Sequence, residues 1–206
     1  MGRPRSAQAH RRVLEAAAEL FSNHGIDATS MDGIAEASGV SKATIYKHWP
    51  DKETLCLEVL SYIHGLDEKS PVFNSGDFRA DLIAQLRHEP AIDRKRMKDR
   101  IWPHLIAYSA RNRKFGSAWR AKAIEPARTA FTAMIKRGQA RGILAPDIDP
   151  EIGIALLVGP IVYRKIFIYR RGNTLKNLEA GVADAFLCAF GTGAAKKRTP
   201  AKQSAH

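Results

Sequence analysis

Two helix-start signals stand only twelve residues apart in this chain, and they restrict what the stretch around them can become. Thr29 precedes Asp32 by three residues, the spacing of a capping box. Ser38-Gly39 then interrupts the helix, and Ser41 caps the next one. Ala35 is small where two helices must cross closely, and Gly39 permits the tight turn between them. Ile34, Val40 and Ile45 supply a small core beneath that turn. The second helix is left with Ser41, Lys42, Thr44 and Lys47 facing out, all hydrogen-bonding residues. A helix fits the major groove of duplex DNA, and its N-terminal side chains reach base edges. Lysine donates to guanine acceptors; threonine bonds a base or touches a thymine methyl. Tyr46 and His48 are better placed for phosphate, as is Lys52 in the first turn of the helix that follows. The competing reading is an ordinary corner of two packed helices, for which Ala-x-x-x-Gly spacing alone is sufficient. The combination of turn glycine, three apolar residues and a polar face favours the DNA reading.

Helical spacing continues along almost the whole chain. Val13, Leu14, Ala17, Leu20 and Phe21 place a first helix from about residue 7, ended by Gly25 as a left-handed cap. Asp51 is a good N-cap for a fourth helix through Leu66. Further helices are expected at about 77–89, 91–111, 113–141, 149–170 and 174–191, with Pro103 and Pro126 kinking or dividing theirs. No sustained period-2 alternation appears, so the fold class is all-α. Three parts are expected: residues 1–52 as a helix-turn-helix domain with a basic N-terminal arm, 53–192 as a helical effector-binding and dimerisation domain, and 193–206 as a disordered basic tail.

The net charge of +12 suits a polyanionic partner. Its distribution is uneven. Residues 1–52 hold seven Lys and Arg against six Asp and Glu, whereas residues 77–141 hold sixteen against six. Cys56 and Cys188 are far apart and lack CxxC spacing, so neither a disulfide framework nor a cysteine zinc site is expected. No metal and no cofactor are expected. The longest apolar run, Ile152–Tyr163, is too short to span a bilayer, and no signal-peptide pattern is evident; a cytoplasmic protein without a membrane partner is the expectation. P-loop, GxSxG and HExxH patterns are absent, which leaves a small helical enzyme as a weak alternative. A nonspecific or architectural DNA binder is the better rival, needing only the basic surface.

The run TSMDGIAEASGVSKATIYKHWPDKETL, residues 29–55, resembles the DNA-binding signature of the TetR/AcrR family of bacterial regulators. Gly2-Arg3-Pro4-Arg5, Leu20-Phe21 and Gly25 match as well. The resemblance is specific over about the first 60 residues and general beyond. Ser38 stands where alanine is usual, and Trp49 where phenylalanine is common. The resemblance implies an all-helical homodimer that represses transcription until a small-molecule effector binds its larger domain. It implies that Thr29, Tyr46, His48 and Lys52 grip phosphates of an operator, expected to be palindromic. Lys42, Ala43, Thr44 and Lys47 would face bases. Arg3 and Arg5, ahead of the first helix, would enter the minor groove as a flexible arm, or else form a frayed, solvated terminus.

In the larger domain the stretch 149–170 is apolar nearly all round and must be buried on more than one side. With the last helix it either fills a core or also meets a second subunit, as the resemblance implies. Leu156, Leu157, Pro160, Ile161, Val182, Phe186 and Phe190 are the candidates for that contact, with Gly153 and Gly159 allowing close approach. An effector pocket among the central helices would draw on Trp102, His104, Leu105, Tyr108, Phe115 and Trp119, together with Phe131, Met134 and Tyr163. Aromatics at helical spacing equally suit a plain core. The cations Arg94, Lys95, Arg96, Arg111, Arg113, Lys114, Arg120 and Lys122 would attract an anionic effector or simply form a solvated face.

Overall fold

The structure, a computed structural model, describes residues 3–66, 71–88, 95–168 and 177–193. Its helices are α1 (Arg3–His24), α2 (Met31–Ser38), α3 (Lys42–His48), α4 (Lys52–His64), α5 (Phe78–Arg87), α6 (Lys95–Arg111), α7 (Arg113–Trp119), α8 (Glu125–Ala140), α9 (Pro150–Tyr163) and α10 (Leu178–Phe190). No strand forms among the described residues, so the all-α expectation holds. No described helix is long and apolar enough to cross a membrane.

Two compact units divide these elements. α1–α4 pack with α6 and α7; α5 packs with α8–α10. The first unit has one continuous core, in which Phe21, Ile34, Ile45 and Leu60 join Leu105 and Phe115. α6 and α7 therefore share a core with the helix-turn-helix, and the compact units do not follow the functional boundary expected at 52/53. Apolar periodicity marks a buried face but not the helix that covers it. In the second unit Leu82, Met134, Ile135, Leu157 and Phe186 form the centre. Arg79 donates to both oxygens of Asp184, at 2.6 and 3.0 Å, tying α5 to α10.

The expected helix over 113–141 is divided. A π-helical turn, Arg120–Ile124, separates α7 from α8. Pro126 has no N–H, and its ring crowds the carbonyl four residues back, so the hydrogen-bond ladder slips by one residue there. A second π-helical turn, Arg164–Ile168, follows α9, which contains Pro160. α6 by contrast runs through Pro103 as one element. α1 starts at Arg3, not near residue 7, with Pro4 in its first turn where a missing N–H costs nothing. Arg3 and Arg5 thus belong to the helix and not to an arm ahead of it. The helix starts expected at 91 and 174, the end expected at 170, Arg94 and the tail from residue 194 lie outside the described residues. So do the side chains of Arg3, Arg5, Lys95 and Arg96.

Candidate nucleic-acid interface

The interface begins where α1 stops. Gly25 has φ +88°, and a Cβ on it would stand 2.9 Å from His104 Nδ1. The chain can therefore turn left-handed there and still lie against α6. Thr29 is buried, and its hydroxyl donates to the Gly25 carbonyl at 2.8 Å. Ser30, one residue later, is the N-cap of α2: its Oγ accepts from Gly33 N at 3.0 Å. The capping box expected at Thr29 is thus displaced by one residue, because the Thr29 hydroxyl closes back on the end of α1.

Gly39 turns the chain with φ +63°. Ser38 is buried, but its hydroxyl is satisfied: it donates to Ala35 O and accepts from Val40 N, both at 3.3 Å. The residue that departs from the usual alanine therefore stitches the turn. Ser41 caps α3, accepting from Thr44 N at 3.3 Å and sharing a 2.8 Å bond with the Thr44 hydroxyl. Ile45 and Trp49 point inward and are 1% exposed, while Lys42, Ala43, Thr44, Tyr46, Lys47 and His48 are all exposed. One helix face is core and the other is free, as the sequence pattern predicts. Lys42 is not wholly free: its ammonium pairs with Asp32 of α2 at 2.7 Å. Both partners are exposed, so the pair is weak and exchangeable.

The end of α3 is fixed by a contact that the sequence does not announce. Trp49 Nε1 donates to Glu58 Oε2 at 2.6 Å, and Glu58 Oε1 bonds His10 Nε2 at 2.5 Å. The rings of His10 and Trp49 lie 4.6 Å apart, and His48 stands 5.7 Å from each. One α4 carboxylate thereby joins α1 to the end of the exposed helix. No local spacing signals this pairing. The only hint is the Trp in place of Phe, which brings a buried N–H that needs an acceptor.

Lys52, expected at phosphate, is engaged within the protein. Its ammonium donates to the carbonyls of Ile26, Asp27 and Thr29 at 2.8, 3.1 and 3.0 Å. It clamps the loop between α1 and α2 onto α4. Asp51 caps α4, accepting from the N–H and the hydroxyl of Thr54, each at 2.7 Å. The Thr54 backbone and side-chain bonds hold the Asp51 carboxyl below its ordinary value, with the Lys114 charge helping. From the other side the α6–α7 corner closes on the same loops. Arg111 pairs with Asp27, Asn112 donates to Glu53, and Asn112 Oδ1 caps α7 through Phe115 N at 2.9 Å.

The residues expected to line an effector pocket are divided between the two units. Leu105, Tyr108, Phe115 and Trp119 are buried in the first unit's core, with Trp102 packed against it and His104 beneath Gly25. Phe131 and Met134 are buried in the second unit, where Tyr163 is 54% exposed. A groove of about 400 Å³ opens between α1 and α2 beside Arg12, Glu15, Glu19 and Ser38, none of them an expected pocket residue. Of the residues expected at a subunit contact, Leu157, Val182 and Phe186 are buried within their own unit. Pro160, Ile161 and Phe190 are half-buried, and Leu156 is 49% exposed. Gly153 lies against Ile135 of α8, whereas Gly159 faces open space.

Comparison with known proteins places this arrangement. Residues 13–59 match the family model for bacterial regulatory proteins of the tetR family, and residues 72–173 match a tetracyclin repressor-like C-terminal domain. The HTH-type transcriptional regulator YdeS of Bacillus subtilis is 31% identical over 163 residues, covering 79% of this chain and 81% of that protein. The DNA-binding transcriptional repressor TetR of Mycobacteroides abscessus is 29% identical over 143 residues, covering 68% and 73%. Among solved structures, a TetR-family transcriptional regulator of Mesorhizobium loti superposes with a TM-score of 0.65 at 26% identity, covering 91% of this chain and 99% of that one. With its helix-turn-helix exposed and both family domains matched, the chain belongs to the TetR family of bacterial regulatory proteins and is a sequence-specific DNA-binding transcriptional regulator.

Proposed function

We propose that the chain works as a homodimeric repressor whose two α3 helices read a palindromic operator and whose grip is released by a small-molecule effector. The observation that carries the reading half of this proposal is the free face of α3. Thr44, Tyr46, Lys47 and His48 are exposed beside a core that fixes the helix through Ile45 and Trp49. Lys47 has no carboxylate within ion-pair distance among the described residues, so it is the cation most ready for a base edge. Tyr46 and His48 flank it for phosphate. Residues 1–52 form the DNA-binding part in this reading, and later helices carry effector binding and dimerisation.

An apolar strip supports the dimer. Ile152, Leu156, Tyr163 and Phe167 of α9 and its π-helical extension are each about half exposed or more. A contiguous apolar surface of this kind favours a partner over water. Two-fold pairing would also match two half-sites. Repression is the activity named for the Mycobacteroides relative. Release follows by linkage: an effector that prefers the DNA-free state lowers operator affinity by its differential affinity for the two states. The test is reciprocity. Once a small molecule is found that weakens operator binding, operator DNA should weaken the binding of that molecule by the same factor; an effector affinity unmoved by operator contradicts the release mechanism.

A further inference from the structure

The positive charge in residues 77–141 stands apart from the reader helix in sequence, yet part of it folds back to the reader's edge. The α6–α7 corner is fixed to the loop before α2 and to the first turn of α4. Arg111 holds Asp27 in the loop before α2, and Asn112 holds Glu53 in the first turn of α4, directly after the loop that ends α3. The next two residues, Arg113 and Lys114, are exposed. Neither has a carboxylate within ion-pair distance among the described residues, unlike Arg79, Arg111, Arg128 and Arg164. Lys114 follows Asn112 by two residues, at the corner tied to Asp27 and Glu53, and its charge helps to keep the Asp51 carboxyl ionised.

At the same edge, the cation that the sequence pattern assigns to phosphate already has partners within the protein. The Lys52 ammonium is occupied by three backbone carbonyls, and the Thr29 hydroxyl is turned into the protein. The segment 1–52 is itself almost neutral. A duplex lying on α3 presents a charged backbone, and binding it without neutralising phosphates is weak at physiological salt.

We propose that Arg113 and Lys114 form an auxiliary DNA-backbone contact, taking phosphates that flank the half-site read by α3. A guanidinium meets a phosphate with two parallel N–H bonds, and an ammonium meets it as a point charge, so the pair fits successive phosphates. A small anionic effector needs a concave site that strips its water; two long side chains standing free suit a polyanion. The contact adds affinity and carries no base information. It rests on α3 facing the DNA, as proposed above.

The test uses the full-length protein and a footprinted operator duplex with several flanking base pairs. The slope of log K against log[salt] is measured for the wild type, for R113Q/K114Q, for K47A and for K136Q/R141Q, a pair of exposed cations in the second unit. The R113Q/K114Q slope should be shallower by about 1 per replaced cation in each protomer, with the preference for operator over scrambled duplex unchanged. K47A should instead reduce that preference. An R113Q/K114Q slope equal to the wild type's overturns the auxiliary contact while leaving the reader helix standing. Equal flattening by K136Q/R141Q overturns it too, showing a diffuse field and not a contact. A wild type that cannot tell operator from scrambled duplex removes the α3 reading, and this inference with it. Circular dichroism melts confirm that the glutamine variants are folded.

Discussion

Asp51 shows how one side chain sets a boundary. It terminates the loop after α3 and starts α4, using one oxygen for both the N–H and the hydroxyl of Thr54. Asp51→Ala should cost about 1 kcal/mol in a denaturant melt at neutral pH, whereas Asp51→Asn, also a good cap, should cost less. Because the folded carboxyl sits below its ordinary value of 3.8, the wild-type cap contributes fully above that pH. Its contribution is lost as pH falls through the lower folded value. The stability difference between wild type and Asp51→Asn should therefore shrink below about pH 4. Cys56 is a second single-residue case. Burial pushes its thiol well up, so a thiol reagent at pH 8 has no thiolate to attack there until the protein unfolds.

Between elements, what the sequence reveals depends on how far apart the partners are. The α2–α3 turn is legible because Ala35, Gly39, Val40 and Ile45 lie within one short window. The left-handed φ at Gly25 and Gly39 is what a glycine after a periodic run predicts. Glu58, Lys52 and Arg111 are not legible, because their partners lie 9 to 84 residues away. A lysine at the first turn of a helix reads as a phosphate ligand until the chain is folded and three carbonyls claim it. Lys52→Met tests which role governs. If the ammonium clamps the loop, the DNA-free protein should lose about 1–3 kcal/mol of stability. A lysine serving phosphate alone would leave the melt of the free protein unchanged and lower only operator affinity.

For the whole molecule, the all-helical class was readable from period alone, and the family signature from residues 29–55. The partition into compact units was not, since Leu105 and Phe115 have the same apolar spacing whichever core they enter. The same ambiguity separates Leu157, buried in its own unit, from Leu156, which is half exposed one residue away. Leu156→Glu should therefore leave the melting transition of the protomer nearly intact but shift sedimentation toward monomer at micromolar concentration. A dimer unaffected by this change would place the subunit contact elsewhere. Monomers in turn should bind operator poorly, because each α3 reads only a short half-site. In the proposed function α3, presented twice by a dimer, reads DNA sequence through its free face. Titration of the footprinted operator and of a scrambled duplex, with wild type and Lys47→Ala, tests it most directly. Two protomers per operator are expected, with a preference of about 10³ or more for operator by the wild type and a preference at least about tenfold smaller for Lys47→Ala. Equal affinity for both duplexes, or a preference untouched by the substitution, would contradict it.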